Sequence, residues 1–119
     1  MLRRLFGGGE KGPPQHPDDR RTLAELSRVG SDMWKHHEIE NFLYMPHEMA
    51  ARSSAARLEG KGYRVKIEAP AGPRATWLVL SYRWVVPAAA AIAEIRGLQE
   101  ALAVEFGGDY DGWGAPVMR

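Results

Sequence analysis

The stretch that most constrains this chain is Thr76 to Val86, because neither of its faces is plainly polar. Read at a period of two, Leu78, Leu80, Tyr82 and Trp84 fall on one side, and Trp77, Val79 and Val85 on the other. A strand apolar on both faces belongs inside a sheet, with cover on each side. The remainder must therefore build a sheet around this segment. Just before it, Tyr63 to Glu68 alternates without a break, with Arg64, Lys66 and Glu68 on one face and Tyr63, Val65 and Ile67 on the other. Pro70-Ala71-Gly72-Pro73 lies between the two and reads as a turn, so the pair is expected to form a hairpin.

Two further strands and two helices complete a pattern around this hairpin. His37 to Met45 carries the β formers Ile39, Phe42, Leu43, Tyr44 and Met45, and Pro46 ends it. Pro46 then opens a helix rich in Ala and Ser that runs to about Lys61, with Met49, Ser53, Ala56 and Leu58 near its packed face. Gly60-Lys61-Gly62 stops it. Pro87 opens the longest helix, to Phe106, along which Ile92, Ile95, Leu98, Leu102 and Phe106 recur at steps of three and four. Gly97 within it costs about 1 kcal/mol relative to Ala, a cost that a close contact with a neighbour would explain. Gly107-Gly108 closes the helix, and Asp109 to Trp113 forms a last short strand.

The N-terminal part is organised differently. Residues 1–16 contain Gly7-Gly8-Gly9 and Gly12-Pro13-Pro14 and read as a flexible leader. Residues 17–30 read as a helix: Pro17, Asp18 and Asp19 suit its first turn, Leu23, Leu26 and Val29 form a narrow stripe, and Gly30 stops it. Thr22 and Glu25 also stand at capping-box spacing. Three turns are marginal alone, so this helix must pack on something.

Right-handed crossovers for both βα units place the two helices on one face of a four-stranded antiparallel sheet. The expected fold over 36–117 is thus α+β, a ferredoxin-like βαββαβ two-layer sandwich, preceded by the extra N-terminal helix. The first and third strands take the centre and the last strand an edge. The sheet's second face then presents Phe42, Tyr44, Tyr82 and Trp84. The N-terminal helix, a second subunit in a homodimer, or a protein partner is the expected cover.

Composition removes several function classes. A formal charge of +1 gives no field that would draw nucleic acid or a membrane surface, and the absence of cysteine excludes disulfides, thiol chemistry and Cys-based zinc sites. Met1 to Phe6 has the charge of a signal-peptide start but meets glycines where an apolar stretch should follow, and no window approaches a membrane span. A soluble cytoplasmic domain is expected.

No catalytic constellation emerges. His36 and His37 are adjacent and so point to opposite faces of a strand. With His47 they read as solvated strand-edge residues and not as a metal site. Asp109 and Asp111 fall on one side of the final strand, where carboxylates usually satisfy the donors of glycine turns. The glycine runs match neither a phosphate-binding loop nor a dinucleotide fingerprint, and no Ser-His-Asp arrangement is suggested. The second sheet face could stack RNA bases on Tyr82, Trp84 and Phe42 or Tyr44, with Arg64, Lys66 and Arg83 on the phosphates. No run of the RNA-recognition type accompanies these residues, and the charge is balanced, so direct nucleic-acid binding is the weaker reading. No enzyme activity, cofactor or metal is expected.

Three segments carry a resemblance: Glu40-Asn41-Phe42-Leu43-Tyr44-Met45-Pro46, then Leu58-Glu59-Gly60-Lys61-Gly62-Tyr63-Arg64-Val65, then Gly107-Gly108-Asp109-Tyr110-Asp111-Gly112-Trp113-Gly114. Together they are similar to the regulator of ribonuclease E activity B family, RraB, over Ile39 to Val117, and the Tyr-Asp-Gly-Trp-Gly run is the most specific part. The resemblance implies a non-enzymatic protein that binds the endoribonuclease RNase E, or another ribonuclease, and so alters RNA degradation. The family's named members are acidic, whereas this chain is near neutral. The expected contact residues are Tyr110, Asp111, Trp113, Tyr44, Trp84 and Arg83. Tyr110 and Trp113, in an edge strand closed by glycine turns, are expected to be chiefly structural.

Overall fold

A computed structural model describes residues 15–119. The leader expected over 1–16 lies outside them except for Gln15 and His16. Seven elements follow in order: α1 (Pro17–Arg28), β1 (His37–Met45), α2 (Glu48–Gly60), β2 (Arg64–Glu68), β3 (Trp77–Val85), α3 (Ala89–Phe106) and β4 (Asp109–Gly114). The sheet is antiparallel throughout, in the order β2-β3-β1-β4. As the topology requires, the two strands with apolar residues on both faces lie at its centre.

The register assigns each side chain to a face. Asn41 lies opposite Ser81, Leu43 opposite Val79 and His37 opposite Val85, and β1 alternates strictly between buried and half-buried residues. His37, Ile39, Asn41, Leu43 and Met45 are fully buried beneath the helices. There they meet Leu58 of α2, Ile92, Ile95 and Leu102 of α3, and Trp113 of β4 in one core.

Histidines begin two of the helices. His16 Nδ1 accepts the Asp18 amide at 3.1 Å, and His47 Nδ1 accepts the Ala50 amide at 3.2 Å. Each replaces the Ser, Thr, Asp or Asn usual at an N-cap, and the Thr22–Glu25 spacing is not used as a cap. α1 and α2 end alike. Gly30 and Gly62 take φ of 94°, and the amides of Ser31 and Tyr63 reach back to the carbonyls of Leu26 and Leu58.

The packed face of α2 keeps the expected Leu58 but not Met49 or Ala56. Ala50, Ala51, Ser54, Ala55 and Leu58 are buried, while Met49 is 75% exposed and Ala56 is also exposed. Small residues on every side of the helix let Met49 share the expected face with Leu58, and only Leu58 takes it. In α3 the buried stripe also takes in Gln99 and Ala103. Gly97 is exposed with nothing near the position of a Cβ, so close packing does not explain it.

α1 does not cover the second face of the sheet. It packs on the helical side, against α3 and β4. At the middle of the second face the strands' own side chains supply the cover. Leu78 and Leu80 are buried there beside Tyr44, Phe42, Glu68 and Lys66 across the strands.

Candidate functional site

The conspicuous run in β4 owes its geometry to a β-bulge. Asn41 lies opposite Trp113 and Leu43 opposite Tyr110, so Asp111 and Gly112 share a single partner position. Gly112 adopts φ of 86°, a conformation costly for any other residue type. Residues three apart would otherwise point to opposite faces of a strand. The extra residue resets the alternation, and both Tyr110 and Trp113 turn under the helical layer. Asp111 is left exposed at the sheet edge.

Beneath the helices these two rings join a polar network that ties five elements together. The Trp113 indole Nε1 donates to Oδ1 of Asp19 at 3.0 Å. Arg96 of α3 reaches the same carboxylate through Nε and Nη2, each at 2.9 Å, and also pairs with Glu100. Asp19 is 1% exposed, so this is an anion taken out of water and held by three donors. The bidentate bond to Asp19 holds the guanidinium protonated well beyond its ordinary range. Arg96 also lies over the Tyr110 ring, 5.1 Å from its centroid. The Tyr110 hydroxyl donates to Asn41 Oδ1 at 2.8 Å, and burial pushes its ionisation well above the usual phenol value. Asn41 donates onward to the Ser81 carbonyl, and Gln99 donates to the Ser81 hydroxyl at 2.8 Å.

A cleft of about 380 Å³ opens over this network between α1, α3 and β4. Of the acids that line it, Asp19 accepts from both Arg96 and Trp113, Asp18 pairs with Arg21, and Asp111 is exposed at the rim. The arrangement clasps α1 onto the sheet. Among the described residues no group of acids and histidines could hold a metal ion.

The other expected contact residues are divided between two places. Trp84 stands on the second face, 59% exposed, with His36 stacked on it at 5.7 Å between ring centroids. Tyr44 lies on the same face but half-buried, with the Arg74 guanidinium 6.0 Å from its ring. Tyr82 is covered by Arg64 at 4.4 Å and donates to Glu40 at 3.0 Å, and Arg64 pairs with Glu38. Arg83 is not on this face. Its position opposite Ile39 turns it to the helical side, where it donates to the Lys61 carbonyl at 2.5 Å and lies over Tyr63. It finishes the C-terminal end of α2 and cannot join Arg64 and Lys66 on a phosphate track.

Three features went unread in the sequence. Asp19 and Arg96 are far apart in the chain, and nothing local marks them as partners. Trp34 is 89% exposed, and its only signal is a tryptophan inside the polar run Ser31 to His36. His37, expected to be solvated, is fully buried. Its Nδ1 faces the Lys35 carbonyl at 2.9 Å and must carry the proton, so Nε2 accepts the Ser31 hydroxyl at 2.6 Å.

The family model described as regulator of ribonuclease activity B matches residues 16–115. That range covers most of the chain, including α1 and the whole sheet, and the chain belongs to the RraB family. No curated protein matches it.

Proposed function

We propose that this member of the RraB family acts without catalysis, by binding a protein of the RNA-degradation machinery through the second face of its sheet. The family's description supplies the class, a regulator of ribonuclease activity. The observation that carries the rest is the exposed Trp84 beside His36, the most open large ring on a face that no helix covers. Exposed tryptophans are disproportionately frequent among residues that dominate binding energy. Tyr44, with part of its ring accessible, extends the contact, and Asp111 offers a carboxylate at the edge of the same sheet. Tyr110 and Trp113 act from beneath, by holding β4 and α1 in place. The setting is a soluble cytoplasmic protein that binds RNase E or another ribonuclease.

The reading is tested by titrating the chain against a purified RNase E-type endoribonuclease in a calorimeter. Saturable binding is expected, together with slower RNA cleavage. Trp84→Ala should weaken binding at least about tenfold while leaving thermal stability unchanged, as befits an exposed anchor. No binding to RNase E or to another RNA-degrading enzyme would overturn it. So would tighter binding to single-stranded RNA alone that falls steeply with salt, since that slope is the mark of phosphate contacts.

A further inference from the structure

After β4 the chain turns back along the linker between α1 and β1, and its last residues lie there as a strap. Ser31 Oγ accepts the Met118 amide at 2.9 Å, and the Asp32 amide donates to the Met118 carbonyl at 2.5 Å. Both backbone polar groups of one residue are thus read together. Lys35 Nζ donates to the next carbonyl, that of Arg119, at 2.5 Å. Beside these contacts Val117 and Ala115 border a groove with Leu26 of α1 and Val29 at its C-terminal cap, of about 570 Å³ and mostly apolar. The receiving side is rigid. Ser31 is fixed by its amide bond to Leu26 at the end of α1 and by the buried His37, which orients its hydroxyl.

We propose that this linker is a recognition slot for an extended peptide, and that the chain's own tail fills it in cis. The occupant it fits in trans is a partner segment with a branched aliphatic side chain, followed by a residue whose amide and carbonyl are both free. The tail itself shows this chemistry, because Val117 and Met118 occupy those two positions. Pro116 and Val117 are exposed, and the end of the tail is held by its polar contacts to Ser31, Asp32 and Lys35, so its release uncovers the slot at the cost of a few hydrogen bonds. A tethered segment competes at an effective concentration in the millimolar range, so the tail gates the slot. The proposal rests on the reading above only in taking the partner to be a protein.

The test uses the full chain and the labelled hexapeptide Gly-Ala-Pro-Val-Met-Arg, the sequence of residues 114–119. Met118→Pro removes the amide that Ser31 accepts and leaves the slot intact. It should bind the hexapeptide roughly five- to tenfold more tightly than the parent chain, the loss of about one hydrogen bond from the competing tail. Val117→Gly, at a position 37% exposed, cannot unfold the core and should give a smaller gain. Adding Lys35→Ala to Met118→Pro should reverse part of the gain. If neither tail variant binds more hexapeptide than the parent chain, the proposal falls. It falls too if Met118→Pro becomes a dimer by light scattering and takes up no peptide, since the slot would then receive the tail of a second copy. No ribonuclease enters the experiment, so its failure and the failure of the ribonuclease reading are separate results.

Discussion

Asp19→Ala offers the sharpest test of how this fold is held. The carboxylate receives two donors on Oδ1, from Trp113 and Arg96, and one on Oδ2, from Arg96. Truncation leaves the Arg96 guanidinium, with a side chain 11% exposed, to the partly exposed Glu100 alone, and the buried indole N–H has no partner. Breaking a buried ion pair from one side costs about 3–5 kcal/mol. The unpaired indole would add about 1–3 kcal/mol. The two do not simply add, because α1 can lift away and return both groups to water. A net loss of about 3 kcal/mol is expected, or at least about 12 °C in melting temperature for a domain of this size. Urea unfolding followed by circular dichroism measures it, with tryptophan fluorescence as the second probe. A cycle with Arg96→Met separates the pair from its surroundings: the double variant should lose about 2 kcal/mol less than the sum of the singles. A loss below about 0.5 kcal/mol, or a coupling near zero, would refute the assignment of the clasp as what holds α1.

Two further outcomes follow from particular positions. Gly97→Ala, at an exposed helical site with open space around it, should stabilise the chain by about 0.5–1 kcal/mol, read as a higher urea midpoint at unchanged slope. Tyr110 sets the alkaline limit. Its phenol ionises at higher pH when folded than when unfolded, so its stabilising effect is complete below about pH 10 and is lost as pH rises beyond that. Melting temperature should therefore decline between about pH 9.5 and 11. In Tyr110→Phe the decline should be shallower, from a starting point lowered by the lost bond to Asn41, and an equal slope in both proteins would count against the burial argument.

Much of the architecture could be read along the chain because its signals are local. The both-faced apolar strand, the alternation from Tyr63 to Glu68 and the stripe in α3 each repeat within a few residues, and glycines and prolines punctuate them. Prediction failed where periodicity carries little weight. The Ala and Ser residues of α2 gave no reason to prefer Leu58 over Met49. Gln99 and Asn41 interrupt apolar faces and look like solvent residues, yet both are buried and each donates its side-chain amide to Ser81 in the core. Arg83 was expected beside Arg64 and Lys66, yet the alternation that puts Tyr82 and Trp84 on the second face already turns it to the helical side, and the pairing with Ile39 agrees.

The glycine-framed run shows the division most clearly. Its residues identify the family, place a strand after α3 and put that strand at the sheet edge, because glycine conformations and strand order follow from local sterics and handedness. The direction of its two rings depends on one left-handed residue, Gly112, within a bulge defined only by pairing with β1. Their roles depend on Asp19 and Arg96, 77 residues apart in the chain and joined only when α1 folds back onto α3. The docking of the tail on Ser31 is of the same kind. Contacts between distant segments leave no period in a sequence, so tertiary structure alone decided that the aromatic run is a clasp and that the tail docks on the linker before β1.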